Sequence, residues 1–468
     1  MKEVKKLRLS TITLVASLGG FLFGFDIAVV SGVLPLIEKQ FHLTAAQEGW
    51  FVSSGLVGCI IGVAFSGEVS DRLGRKIPLL LSAALFLLSA LGCAFMPSMF
   101  WVIAARLLGG VGIGIASNVV PLYISEIAPA NIRGRLVTYY QLAVTLGILV
   151  AYLTNAGLVS YVTQSPGEGF FQREIWRAML GLGAIPALLF LLGLFAVPES
   201  PRWLIQKGRN AEAADITNRL FGNTGQDIIQ EASAVKHQGS YKELFAPGMR
   251  KALLIGILLP LFSQFSGINA IIYYGPSILS NAGISLSNSL ISQIIFGAAN
   301  MLFTLIAIWK VDSWGRRPLY LYGTAGAAAT LIATGFCFYT GATANMWLLV
   351  CVLSFLAFFA FSIGPLKFVV ASEIFPNAIR GRALAISIMV MWVADAIVGQ
   401  LTPILLKGIG SAGTFWFFAF FCVVAYVVVY KLLPETKGKS LEHIENYWKE
   451  KGIDASSHQH DDQHITLH

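Results

Sequence analysis

The segment Ser125-Glu126-Ile127-Ala128-Pro129-Ala130-Asn131-Ile132-Arg133-Gly134-Arg135 returns 247 residues later as Ser372-Glu373-Ile374-Phe375-Pro376-Asn377-Ala378-Ile379-Arg380-Gly381-Arg382, with eight of eleven positions identical. Two shorter echoes keep nearly the same offset. Asp71-Arg72-Leu73-Gly74-Arg75-Lys76 is matched by Asp312-Ser313-Trp314-Gly315-Arg316-Arg317, 241 residues on, and Pro198-Glu199-Ser200 by Pro434-Glu435-Thr436, 236 residues on. Each motif sits at the end of an apolar run, at the same place in its half. The chain is therefore a tandem duplication whose repeats run in parallel.

The apolar runs set the medium. Of 468 residues 56% are hydrophobic and only 12% charged, against about 25% charged in a soluble domain. This excludes a cytosolic enzyme, a secreted disulfide scaffold and a disordered chain. About 20 apolar residues span a bilayer as a helix, and the sequence offers twelve such runs, near 10–32, 49–69, 77–96, 99–123, 136–159, 176–197, 252–280, 288–310, 318–340, 345–372, 383–406 and 413–433. The expected fold is all-α: a six-helix half over 1–197, a cytoplasmic helical linker over 198–251, a second six-helix half over 252–433 and a tail over 434–468. With both termini inside, the inner segments hold 27 of the 33 lysines and arginines. The outer ones hold Lys39, Arg173, Arg177 and Lys407, and Arg106 and Lys367 fall within spans. Basic residues collect on the cytoplasmic side of such proteins, so the net charge of +8 marks orientation rather than nucleic-acid binding. The expected location is a cell membrane, plasma or bacterial inner. Parallel repeats of this kind are a transporter architecture, with the substrate near midplane between the halves.

The repeated charges lie at inner helix ends. Asp71, Arg75, Glu126 and Arg133, with Asp312, Arg316, Glu373 and Arg380, are candidates for gate latches that pair across helix ends and break when the cavity opens inward; the alternative is topogenic charge and capping alone. Four charges fall inside apolar runs, where ionisable groups are costly and mark function by default: Asp26, Arg106, Lys367 and Asp395. Asp26 and Arg106 are placed at one depth and read as a proton-coupling pair or as a static ion pair. Lys367 and Asp395 read as an intramembrane charge pair, structural or acting on substrate. Gly109-Gly110-Val111-Gly112-Ile113-Gly114 lies within a span, so close helix packing explains it better than a dinucleotide loop. The five cysteines sit in apolar runs without a CxxC spacing, and no Walker sequence is present.

These motifs resemble the sugar porter family of the major facilitator superfamily. The resemblance rests on Asp71-Arg72-Leu73-Gly74-Arg75-Lys76, on Pro121-Leu122-Tyr123 with Glu126 and Arg133-Gly134-Arg135, on Pro198-Glu199-Ser200-Pro201-Arg202-Trp203-Leu204, on Gln264-Phe265-Ser266-Gly267-Ile268-Asn269 and on Pro434-Glu435-Thr436-Lys437-Gly438. The first motif says only major facilitator, whereas the two proline–glutamate motifs are far more specific. The look is that of bacterial proton-coupled monosaccharide symporters of the xylose and glucose type.

The resemblance implies that Gln141, Gln264, Asn269, Asn300 and Trp392 match sugar-contacting positions, and that the proton symporters carry an acid where Asp26 stands. Tyr273, Phe368 and Phe23 join them as aromatic or hydroxyl contacts by pattern. Ser263, where the family usually has a first glutamine, Phe368 for a common tryptophan, Met391, and the charges Lys367 and Asp395 all depart from the family. Gly267 and Gly275-Pro276 are expected to let the seventh helix bend. The expectation is a non-enzymatic secondary active transporter taking up a monosaccharide with protons by alternating access. It needs a lipid bilayer, no cofactor beyond the coupling proton, no metal, no nucleic acid and no second subunit. A passive sugar facilitator, or a symporter of a polyol or charged sugar derivative, is the alternative. An exporter or a sugar sensor fits the motifs and the tail less well.

Overall fold

The computed structural model describes residues 9–129, 132–164, 167, 169–221, 241–246, 249–281, 283–342, 346–375 and 379–437. Among these residues, twelve helices are long and apolar enough to cross a membrane: α1 Leu9–Phe41, α2 Ala45–Leu73, α3 Lys76–Phe95, α4 Met99–Ile127, α5 Leu136–Gln164, α6 Ile175–Phe195, α7 Arg250–Ser280, α8 Leu286–Ala307, α9 Arg316–Tyr339, α10 Trp347–Ala371, α11 Gly381–Gly408 and α12 Gly410–Leu432. Several outrun the apolar segments that announced them, because a helix can continue past the hydrocarbon into polar surroundings. No strand occurs among the described residues. With twelve crossings, the start of α1, the end of α12 and the segment after α6 lie at one end of the bundle, here the terminus end; the α1–α2 and α11–α12 turns lie at the far end.

Local chemistry sets the turns. Thr44 and Gln47 form a reciprocal capping box that starts α2, a motif that satisfies two otherwise orphaned N–H groups. Small residues let α2 and α4 touch: a methyl on Gly58 would stand 2.2 Å from the Leu107 carbonyl oxygen, and one on Gly110 1.9 Å from that of Gly55. The glycine run in α4 is thus a packing surface.

The two halves meet along three helix pairs, α1 with α7, α2 with α11 and α5 with α8. Three helices are interrupted. α7 breaks after Phe265 and resumes at Ile268, with Gly267 at φ +86° against the Phe418 ring. At Gly275-Pro276 the helix is not interrupted: it runs on from Ile268 to Asn281. Gly275 instead makes room for Gln293, whose amide nitrogen would lie 1.5 Å from an added methyl. α10 carries a π-helical turn at Phe359–Ile363, a form common at functional sites. α6 loosens at Leu182 and Gly183.

Beyond α6, helices Pro201–Gln206 and Asn210–Phe221 pack on one another through Trp203, Leu204 and Ala213. Both fall within the segment expected to form the helical linker. The rest of the expected linker between 222 and 240, and the tail after 437, lie outside the described residues.

Candidate substrate and proton-coupling site

In the first half, Asp26 and Arg106 do meet at one depth. The Arg106 Nη1 to Asp26 Oδ1 distance is 3.8 Å, with the guanidinium 4% exposed and the carboxylate 22% exposed. That separation exceeds the 2.7–2.9 Å or so of a charge-assisted hydrogen bond. Arg106 is anchored elsewhere: its Nε donates to the Phe51 carbonyl oxygen at 3.1 Å, and its guanidinium lies 4.9 Å from the Phe51 ring centroid. Gly55 leaves the space, since a methyl there would stand 3.1 Å from the guanidinium. Two small cavities flank Asp26, one reaching Arg106, Cys59 and Tyr273 and the other Ser89 and Cys93. Each has room for about one water. The carboxylate is therefore close to a fixed cation without being tied to it.

In the second half a polar chain follows the broken helix. The Asn269 amide donates to Gln264 Oε1 at 2.9 Å and to Asp395 Oδ1 at 2.7 Å. The Tyr273 hydroxyl donates to both Asp395 oxygens, at 3.1 and 3.2 Å. Lys367 Nζ donates to Ser263 Oγ at 3.0 Å. All six side chains are buried. Lys367 and Asp395 are each engaged by side chains of α7. The two charges are held on either side of the α7 break, by Ser263 before Gly267 and by Asn269 and Tyr273 after it. Because Tyr273 also lines the Asp26 cavity, the two halves share one polar junction.

Trp392 closes the centre. It is fully buried, its Nε1 donates to Ser117 Oγ of the other half at 3.3 Å, and Phe23 packs edge-on with ring centroids 5.1 Å apart. Gln141 and Asn300 stand half-buried on the facing helices α5 and α8. The Phe368 side chain lies outside the described residues.

At the terminus end the repeated motifs form the same cluster twice. Arg75 donates to both Glu126 oxygens at 2.9 and 2.7 Å and to Asp71 at 3.1 Å. Arg316 donates to Glu373 at 2.8 Å. Burial opposes charge on Arg75, but the Glu126 and Asp71 carboxylates outweigh it, and the guanidinium holds its proton more tightly than usual. Both pairs join helices of a single half, and both are formed while the far ends of the halves are in contact. They clasp neighbouring helix ends within each half. The side chains of Arg133, Asp312 and Arg380 lie outside the described residues.

Two acids were read only as motif markers. Glu199 accepts from the Arg75 and Lys76 backbone N–H groups at 2.9 and 3.2 Å, and Glu435 from those of Arg316 and Arg317 at 3.0 and 3.1 Å. Each carboxylate caps the start of α3 or α9, where the helix dipole favours an anion. Gly74 and Gly315, at φ +92° and +88°, permit the turn and the approach of the acid. Thr436 then donates to Glu373 at 2.6 Å. The signal was the repeat itself, since a proline–glutamate pair at both junctions demands a partner at both.

Comparison with known proteins follows this geometry. The family model described as "Sugar (and other) transporter" matches residues 12–448. The chain belongs to this family. It is 40% identical over 441 residues to the arabinose-proton symporter of Bacillus subtilis, covering 93% of this chain and 94% of that protein. It is 38% identical over 479 residues to the D-xylose-proton symporter of Escherichia coli, covering 94% and 95%. The xylose transporter XylE from E. coli, in a partially occluded inward-open conformation, superposes with a TM-score of 0.81 at 36% identity over 92% of this chain and 99% of that one. The major facilitator proton:xylose symporter XylE bound to 6-bromo-6-deoxy-D-glucose gives 0.78 at 37% identity over 94% and 99%. The fold is that of the major facilitator superfamily.

Proposed function

We propose that the protein takes up a neutral monosaccharide together with protons by alternating access, with both termini in the cytoplasm. The observation that carries this reading is the junction of Asp26, Arg106 and Tyr273 around one small cavity. A carboxylate beside a cation stays ionised, and one left in an apolar cavity takes up a proton. Asp26 sits between these conditions: 3.8 Å from Arg106 but not bound by it. A small movement of α4 against α1 switches the site. Protonation of Asp26 removes the charge that faces both Arg106 of its own half and Tyr273 of the other half across the cavity, and so changes the contact between the halves. Tyr273 carries that change toward Asn269 and Gln264, the amides placed to bind sugar hydroxyls. A buried site built from such groups discriminates strongly, because an unmatched polar group is costly.

The second half supports reading the substrate as neutral. Lys367 and Asp395 are both buried and opposite in sign, and both are engaged by α7. Their charges balance before any ligand arrives, so an anionic or cationic sugar would disturb that balance. One chain holds every residue of this cycle, so a monomer suffices.

The test is uptake of a labelled sugar panel into proteoliposomes, with and without an imposed proton gradient. Wild type is expected to concentrate one or more pentoses or hexoses, and a protonophore to abolish the accumulation. Asp26→Asn is expected to equilibrate and exchange the same sugar without concentrating it. Accumulation by Asp26→Asn against the sugar gradient refutes the coupling assignment. Wild-type uptake that only equilibrates favours a facilitator.

A further inference from the structure

At the far end, α2 and α11 come from different halves and meet closely. A methyl on Gly49 would stand 2.6 Å from the Gln400 carbonyl oxygen. Gln400 uses both ends of its amide on α2: Nε2 donates to the Ala46 carbonyl oxygen at 3.0 Å, and Oε1 accepts from Ser53 Oγ at 2.8 Å. Two turns further along α11, Lys407 Nζ reaches Glu48 at 2.6 Å and Glu38 of α1 at 3.5 Å. We propose that Glu48 and Lys407, supported by Glu38 and Gln400, are gating residues that hold the far face shut and must separate each time substrate enters there.

The burial pattern carries the argument. An ion pair on an open surface contributes little, but Glu48 is not on an open surface. Its side chain is 8% exposed, while that of Lys407 is 49% exposed. A buried carboxylate requires a partner, and here the partner belongs to the opposite half. Parting α2 from α11 leaves Glu48 without its ammonium until water enters. Opening is therefore linked to hydration of the gate. Lys407 sits in the last turn of α11, where a cation also suits the helix dipole, so the ammonium is favoured in place before the halves close. The spacing agrees: Ala46, Gly49 and Ser53 follow one face of α2, and Gln400 and Lys407 are seven residues apart on α11, again one face. Deeper in the bundle, hydrogen bonds from Tyr152 and Trp392 also join the halves, but neither involves a charge.

The proposal rests on the alternating-access reading, in which the far face is external. Cys59 supplies a native probe: it is 2% exposed and lines the Asp26 cavity beneath the α2–α11 contact. In right-side-out vesicles, a membrane-impermeant maleimide is applied outside, and modification of Cys59 is followed by peptide mass spectrometry. Glu48→Gln and Lys407→Gln are each expected to raise the Cys59 labelling rate about threefold to tenfold. Lys407→Arg should stay near wild type, and the exchange Glu48→Lys with Lys407→Glu should return labelling toward it. Gln400→Ala alters no charge, is expected to raise labelling about threefold, and serves if the charge variants fail to insert. Wild-type labelling rates in the neutral variants, or a charge exchange no better than the single changes, would overturn the latch. Sugar accumulation measured in the same vesicles reports the symport reading separately. Its absence with altered labelling overturns that reading and leaves the latch standing.

Discussion

The two ends of the bundle are built on opposite plans. At the terminus end, Arg75 with Glu126 and Arg316 with Glu373 join helices of one half, and Glu199 and Glu435 cap helices of the half they follow. At the far end, Gln400 and Lys407 reach from the second half to the first. A contact within a half holds through a rocking motion, whereas a contact between halves is made and broken by it. The terminus-end clusters therefore give each half its rigidity, and the far-end contacts set which way the pair faces. The duplication follows this division: the rigid clusters occur twice, once per half, whereas the far-end contact joins one half to the other.

Breaking a clasp is the harshest way to probe that division. Glu126→Gln leaves the Arg75 guanidinium, 4% exposed, with a partner of reduced charge in a buried site. Removing one member of a buried pair costs about 3–5 kcal/mol. The expected result is a clear drop in the apparent Tm of the purified protein, with transport lost through instability of the first half. Glu373→Gln should cost less, about 1–2 kcal/mol, because Arg316 and Glu373 are 12% and 24% exposed and water compensates part of the loss. Equal drops in Tm for the two variants would contradict the burial argument.

The capping acids come next. Glu199→Ala removes the acceptor for two N–H groups at the start of α3, and loss of a cap costs about 1 kcal/mol. Glu435→Ala should match it at the start of α9, since the geometry is repeated. Thermal unfolding of both variants checks this. A Cys59 labelling rate that rises as far as in the Lys407 variants would show that the caps, too, set the facing direction, and would break the distinction between the ends.

Much of this was legible in the sequence. Twelve spans, two halves and the Asp26–Arg106 contact follow from apolar runs and from charges that stand out within them. The clasps were legible as charges because the motif recurs; their confinement to one half was not, because a motif names residues without naming neighbours. Glu199 and Glu435 were visible as repeats but silent as caps, since the N–H groups they satisfy belong to the backbone. Lys367 and Asp395 were found as charges, yet the helix that engages both is uncharged at Ser263, Asn269 and Tyr273. The far-end latch left the least trace. Glu48 and Lys407 are ordinary residues near helix ends, 359 positions apart, and without a repeated motif nothing links them.

The mildest test lies midway between the ends. Pro276 has no N–H to offer the Ile272 carbonyl one turn earlier, so an intact helix still leaves that oxygen short of its intrahelical bond. The oxygen accepts instead from the Tyr152 hydroxyl of the other half, at 3.4 Å. At the outer limit of hydrogen-bond distance, such a bond contributes about 0.5–1 kcal/mol. Tyr152→Phe is therefore expected to lower the apparent Tm only slightly and to raise Cys59 labelling less than twofold. Pro276→Ala gives the Ile272 oxygen an N–H from its own helix, and in that background Tyr152→Phe should have no further effect. The double-mutant cycle measures this dependence directly. If Tyr152→Phe costs as much in the Pro276→Ala background as in the wild-type chain, the hydroxyl does not act through the orphaned carbonyl. The contact between α5 and α7 would then be packing alone, and the far-end pair would be left to set the facing direction with no polar help from this side of the bundle.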